Sequence, residues 1–397
     1  MSFDIALSGI QSINNQLNTV SNNIANAGTY GFKSSRANFS SMYAGSQPTG
    51  VEVGSLTQSI GLGGGVLNTG RGLDASINGR GFFVSRDSQN TLNYSRVGIF
   101  SASANGFLET ADGNKVQGYA ITPGSAVLGA LGDVKVPTGQ IPAVATTKLD
   151  YVANMSSDWA VPVPAFSITD ATSYNMSKLS VIYDSLGSKH NVTQYFTKMA
   201  GNNVRVDYSI DGAAPLAAST ATLAFNASGG LTTSPPSVSV TVPTANGSVN
   251  NGVIKINYTG TTQFGGDATT SLANPDGYAS GTFTGVQLAE DGSVVAAYNN
   301  GQKQTIAALA LASFPDEGAL TAVNNTSWVA SIASGAPLYD RPGTGMVGKL
   351  TVSALEQSNV DITSELVGLM TSQRNYQANS KVISTESAMM QSLMQAL

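Results

Sequence analysis

Apolar residues return on a helical 4-3 grid at both ends of the chain, while nearly everything between them alternates with a period of two. At the N-terminus, Phe3, Leu7, Ile10, Leu17 and Ile24 occupy the grid, with Asn14 and Ser21 as its polar members. This spacing returns to one side of an α-helix. Asp4 falls in the first turn, where a carboxylate favours the positive helix end. Gly28, after Asn26-Ala27, marks the stop. At the other end, Ile362, Leu366, Leu369, Tyr376, Ile383, Met390, Met394 and Leu397 share one grid, with Gln373, Ser380 and Ser387 in its gaps. Ser358 and Asp361 stand at capping-box spacing, Asp replacing Glu. The pattern predicts a long helix with a coiled-coil seam.

An ordinary amphipathic helix on a globular core would account for one such stripe. Two stripes at opposite ends have no helices between them to pack on. Each must be buried on the other or on a neighbouring molecule, since an isolated helix is marginal in water. Joining the ends makes every intervening domain a nested insertion.

The interior reads as strands and turns. Val204, Val206, Tyr208 and Ile210 alternate with polar residues up to an Asp211-Gly212 turn, and Val238, Val240 and Val242 alternate until Pro243. Leu179, Val181 and Tyr183 face one way, and residues 185–188 lead to a second run at 191–198. Asn-Gly or Asp-Gly pairs at 78–79, 105–106, 112–113, 276–277, 291–292 and 300–301 punctuate the rest. Short alternating runs with such turns predict hairpins and antiparallel sheets. The expected fold is mainly β with long terminal α-helices, nested antiparallel β-domains being inserted between N- and C-terminal coiled-coil-forming helices. Residues 1–28 and 358–397 are the helical part, and 29–71, Gly-rich from Ser46 to Gly72, an extended connector. An inner β-domain takes 72–149 and 284–357, and an outer one 150–283.

Composition narrows the function. Only 11% of the 397 residues are charged, under half the usual share, so neutral polar side chains must cover the surface. Weak net repulsion suits a protein that packs against its own copies. The net charge is −5 with no Lys/Arg run, which sets nucleic-acid binding aside. There are no cysteines, hence no disulfides or thiolate chemistry. The first basic residue is Lys33 and the segment 4–26 is amphipathic, unlike a Sec signal. No run approaches the roughly 20 apolar residues of a membrane span. The chain is expected to stay inside the cell or to leave by a route without such a signal.

Chemistry is hard to place. The one histidine, His190, lies in a strand-like run with no nucleophile motif beside it, and reads as a surface or hairpin residue. Metal sites needing two His or Cys are impossible, and no Asp-x-Asp-x-Asp-Gly loop occurs. Gly61–Gly65 fits neither phosphate-binding motif. No catalytic, cofactor or metal residue is expected.

The ends carry a resemblance. Ser21-Asn22-Asn23-Ile24-Ala25-Asn26 with Thr29-Tyr30-Gly31-Phe32-Lys33 resembles the N-terminal signature of the flagellar rod and hook axial proteins. Ala354-Leu355-Glu356-Gln357-Ser358-Asn359-Val360-Asp361 and Gln373-Arg374-Asn375-Tyr376-Gln377-Ala378-Asn379 are similar to its C-terminal counterpart. Gly70-Arg71-Gly72-Leu73-Asp74, Gly81-Phe82-Phe83-Val84 and Val116-Gln117-Gly118-Tyr119 look like the first β-domain of that family. Residues 166–198 resemble the outer domain of its hook members, which the shorter distal rod members lack. The resemblance implies an extracellular structural subunit of the flagellar hook, a bending tube that transmits torque. It implies export by the flagellar type III apparatus, and contact with further copies and with rod, hook-cap and hook-filament junction proteins. A distal rod or junction protein, or a secreted β-rich adhesin, stays open as an alternative.

Overall fold

The structure, a computed structural model, describes residues 2–122, 127–215, 219–234, 236–241, 247–248 and 253–396. Val242, Pro243 and Leu397, used in the sequence argument, lie outside them. Helix α1 (Ser2–Ala25) opens the chain and α2 (Ile362–Ala396) closes it. Strands fill most of what lies between, so the mainly β fold with terminal helices is the one observed.

The chain divides into two compact units. The first holds 1–138, 284–297 and 303–397, and the second 139–283 with 298–302. In the first, a large sheet runs through strands Ser293–Tyr298, Lys303–Leu309, Lys115–Ile121, Phe82–Arg86 and Leu92–Ser95. Its alternation buries Phe82, Val84, Tyr94, Phe314 and Trp328 in one core. The rings meet edge to face, Phe82–Trp328 at 5.6 Å and Tyr94–Phe314 at 4.8 Å.

The second unit packs two sheets over a core that includes Leu149, Tyr151, Phe196, Val204, Val206, Ile254 and Tyr258. One sheet is the antiparallel meander Met176–Tyr183, Lys189–Lys198, Asn203–Ile210 and Ala221–Ala224. Asp211 and Gly212 both have positive φ, as the hairpin turn requires. On the edge strand the core side is taken by Ser180 and Ile182, while Leu179, Val181 and Tyr183 face the other way. Their alternation located the strand without telling which face is inside. His190 lies in the second strand with Nδ1 2.7 Å from Asp211 Oδ2, in the hairpin position expected.

One expectation needs correction. Residues 29–71 are not simply connector, because Ser35–Ala44 (β1) and Gln47–Gln58 (β2) form an antiparallel hairpin turning at Gly45, φ 65°. It packs on α1, where Ser12 Oγ donates to the Val51 carbonyl and Val51 N donates to Ser8 Oγ. Nine of the 22 strand residues are Ser, Asn, Gly or Thr, and the large apolar ones (Phe39, Met42, Tyr43, Val51, Val53 and Leu56) keep no sustained alternation along the hairpin.

Candidate assembly surface

The helices lie antiparallel. Asn23 Nδ2 donates to Glu365 Oε1 at 2.9 Å, Gly368 faces Val20, and Gly9 sits directly under Asn379. The eleven-residue step from Val20 back to Gly9 matches that from Gly368 to Asn379, so the stagger is constant. Buried along the paired faces are Ala6, Ile13, Val20 and Asn23 of α1 and Ser372 of α2.

This contact line runs one residue before the predicted grid on both helices. Ala6 precedes Leu7, Gly9 precedes Ile10 and Asn23 precedes Ile24; Glu365 precedes Leu366, Gly368 precedes Leu369 and Ser372 precedes Gln373. Small and polar residues, with Ile13 and Val20 of α1, therefore close the pair, and the large apolar residues of the grids are left beside it. Leu7 is 39% exposed, Ile362 51%, Leu366 45%, Met390 60% and Met394 72%. Tyr376 is also exposed, while Ile10, Leu17, Ile24, Leu369 and Ile383 are half-buried. Members of both grids meet in a groove lined by Asn14, Leu17, Gln373, Tyr376 and Gln377. A different groove, lined by Gly9, Ile13, Phe39, Val51, Ala378 and Asn379, lies where the β1–β2 hairpin approaches. One flank of the pair is thus covered by the hairpin, and the flank carrying the grids is open.

The two terminal motifs meet at the root of this pair. Asn23 is buried, accepting from Ser35 N at 2.9 Å and donating to the Ser35 carbonyl at 2.8 Å. Asn359 accepts from Ser34 N at 2.7 Å and donates to the carbonyls of Ser59 and Leu62. Gly31 has φ 68° and donates its N–H to the Glu356 carbonyl at 2.8 Å. A Cβ there would strike Val97, so both torsion and space demand glycine. Asn359 N reaches the Phe32 carbonyl at 3.3 Å, Asn26 accepts from the Thr29 hydroxyl, and Val360 is half-buried. Asp361 caps α2 by itself, its Oδ1 accepting from Thr363 N at 2.9 Å and its Oδ2 from the Ser364 hydroxyl. Ser358 is not the cap, because the helix begins three residues later than capping-box spacing implied.

Sequence reasoning quoted Lys33 and Glu356 within motifs but gave them no role. Lys33 Nζ lies 2.6 Å from Glu356 Oε1, both side chains are almost fully buried, and Nζ also donates to the Leu62 carbonyl. Arg96 stands 3.5 Å from the other carboxylate oxygen. Burial pulls the Lys33 and Arg96 pKa values down, against the opposing pull of Glu356. A charge inside a motif, in a chain so poor in charge, was the available signal for Lys33 and Glu356. For Arg96 there was none.

No cluster of three or more His, Cys, Asp or Glu side chains suits a metal ion among the described residues, and none of the described helices is long and apolar enough to cross a membrane. What the site offers is an unfilled apolar face held on a rigid root.

Comparison with known proteins agrees in detail. Residues 3–33 match the family described as flagella basal body rod protein, and 76–153 the flagellar hook protein FlgE/F/G D1 domain. Residues 154–278 match the flagellar basal body protein FlaE D2 domain, and 352–396 the flagellar basal body rod FlgEFG protein C-terminal family. The flagellar hook protein of Salmonella typhimurium is 37% identical over 404 residues, with 99% of each chain covered. That of Escherichia coli K12 is 35% identical at the same coverage, and that of Treponema pallidum 29% identical over 98% of this chain and 97% of its own. A crystal structure of Helicobacter pylori flagellar hook protein FlgE2 shares the fold, with a TM-score of 0.51 at 13% identity, covering 72% of this chain and 98% of that one.

Proposed function

This chain belongs to the flagellar hook protein family, and we propose on that premise that its copies polymerise through the exposed grids of α1 and α2 into the helical tube of the hook. It is a structural subunit of the bacterial flagellar hook, outside the cell. The observation carrying the assembly reading is the open flank of the helix pair. Leu7, Ile362, Leu366, Tyr376, Met390 and Met394 are exposed along it, and apolar side chains gathered on one exposed face mark an interaction surface.

In this reading the helices line the tube as coiled coils, with the β-domain of residues 72–149 and 284–357 around them and that of 150–283 outermost. The tube bends while passing motor torque to the filament. Export runs through the flagellar type III apparatus, and the tube ends meet rod, hook-cap and junction proteins.

Leu369→Asp and Ile383→Asp test the seam. Each places a carboxylate where a neighbour's apolar face would cover it, and an unpaired buried charge is costly. Both variants should stay unpolymerised in sedimentation under conditions where the unaltered chain forms tubes, with the β units still folded. Normal tubes from either variant would remove the C-terminal helix from the assembly surface.

A further inference from the structure

We propose that the side-chain amides of Asn14, Gln373 and Gln377 fix the stagger between copies in the tube, acting as specificity groups rather than as a source of affinity. The inference rests on the reading that further copies cover the grid face, and adds which residues set how they line up.

The three amides share one groove of about 220 Å³ with Leu17 and Tyr376, on the flank where both grids are open. Asn14 and Gln373 are the amide-bearing members of grids that are otherwise mostly apolar, their other polar positions being the smaller Ser21, Ser380 and Ser387, so this is an amide layer within a largely apolar stripe. Ile10 and Leu17 bracket it on α1, and Leu369 and Tyr376 on α2. None of the three amide side chains has a hydrogen-bond partner among the described residues. The fold therefore leaves them unspent on the face that assembly would bury.

The lengths of the helices point to a second copy as the layer's partner. At the observed stagger Ser2 falls opposite Glu386, and α2 runs on to Ala396. Residues 387–396, about 15 Å of helix, have no α1 beside them, yet Met389, Met390, Leu393 and Met394 stay more than half exposed there. The grid thus continues past the described residues of its intramolecular neighbour with its apolar side chains uncovered, and a second copy would cover them. The same stripe on another copy has the matching width and period.

A uniformly apolar heptad seam tolerates slippage, because a shift by one repeat sets Leu or Ile against Leu or Ile again. An amide layer does not tolerate it. In register, amide meets amide and both are satisfied; out of register, a buried amide faces hydrocarbon and loses its partners. A single polar position specifying register at a cost in stability is a known use of such residues in coiled coils.

The test compares tubes assembled from Asn14→Leu, Gln373→Leu and Asn14→Gln chains by electron cryo-microscopy and thermal dissociation. Asn14 and Gln373 are exposed in the subunit, so folding is spared. The Leu variants should assemble into tubes that dissociate no more readily than the unaltered ones but show several helical lattices, while Asn14→Gln keeps a single lattice. A single unaltered lattice from the Leu variants overturns the proposal. So does a failure of those variants to assemble, since the amides would then supply affinity. If Leu369→Asp also assembles normally, the assembly surface itself is misplaced; if Leu369→Asp fails while the Leu variants keep one lattice, only the register role falls.

Discussion

Lys33 and Glu356, 323 residues apart in the chain, close a buried ion pair at 2.6 Å. Lys33 follows α1 and Glu356 precedes α2, so the pair ties the point where the chain leaves the helices for the β-sheets to the point where it returns. Glu356 Oε1 accepts from Gly64 N as well, which brings the exit of the β1–β2 hairpin to the same spot. Asn23 and Asn359 then fasten the hairpin's first strand and the segment after its second. The terminal motifs are thus contact residues of one clasp, and the clasp orients the helices.

Lys33→Met should destabilise the first unit by about 3–5 kcal/mol, the usual cost of removing one partner of a buried pair. Lys33→Met with Glu356→Gln should cost less than the two single changes together, because no uncompensated carboxylate remains. Denaturant unfolding followed by fluorescence of Trp328, in a Trp159→Phe background, reads this unit alone. Additive losses would show that Lys33 and Glu356 do not act as a pair.

The start of α2 should respond to acid. Hydrogen bonds from the Ser364 hydroxyl and from the backbone of Thr363 and Ser364 hold the Asp361 carboxyl below the usual carboxylate range. A group with a depressed folded pKa stabilises above its unfolded value, about 3.9, and that support is lost as pH falls through the folded value. Helix content followed by circular dichroism should fall more steeply below pH 4 in the unaltered chain than in Asp361→Asn, whose amide still caps but does not titrate. Identical acid profiles would remove the cap from the account.

In dilute solution the helices should be the first parts to open. Their mutual contact buries Ala6, Ile13 and Val20 on one side but no large apolar residue of α2. So little apolar burial barely offsets the ordering entropy of a long helix. Limited proteolysis of the monomer should trim 1–25 and 362–397 and leave the β units, whereas the same sites in assembled tubes resist. Equal resistance in monomer and tube would mean that the pair is stable alone.

The sequence made the helices legible because the heptad spacing recurs over many turns despite polar members at Asn14, Ser21, Gln373, Ser380 and Ser387, and the strands legible wherever Val, Ile or Tyr alternate with Ser or Thr. It did not make the β1–β2 hairpin legible, because Phe39, Met42, Tyr43, Val51, Val53 and Leu56 are spaced without a sustained period of two. Nor did it separate the two sides of the helices. Ala6, Gly9, Gly368 and Ser372, unremarkable by hydrophobicity, turned out to share the intramolecular contact with Ile13 and Val20, and the Leu and Ile residues of the grids lie beside it. Periodicity locates a stripe; which neighbour covers it depends on shape, and there the small residues decide. Arg96 was invisible for another reason, since its role comes from a carboxylate 260 residues away.

The second unit should be separable from the rest. Its core residues from Leu149 to Tyr258 all come from within 139–283. Its entering and leaving strands are already side by side: Ile141 and Gly281 exchange both backbone hydrogen bonds, at 2.9 and 3.2 Å, as do Val144 and Tyr278 at 3.0 and 2.9 Å. Paired strands lie about 5 Å apart, so cutting there and joining Thr138 to Thr284 needs only a short Gly-Ser linker. The excised piece, residues 139–283, should unfold in one cooperative transition and remain monomeric, as insertions with closely spaced ends generally permit. The shortened chain keeps α1, α2, the clasp and the core around Phe82 and Trp328, so it should still be exported and still form tubes. Curvature is what should change. A curved tube has a long side and a short side, and only contacts far from its axis differ much between them. If the second unit makes those contacts, tubes without it should be straighter or more pliable by electron microscopy, and cells bearing them should swim poorly. A shortened chain that is exported and folded yet never assembles would show that the second unit builds the tube instead of tuning its shape.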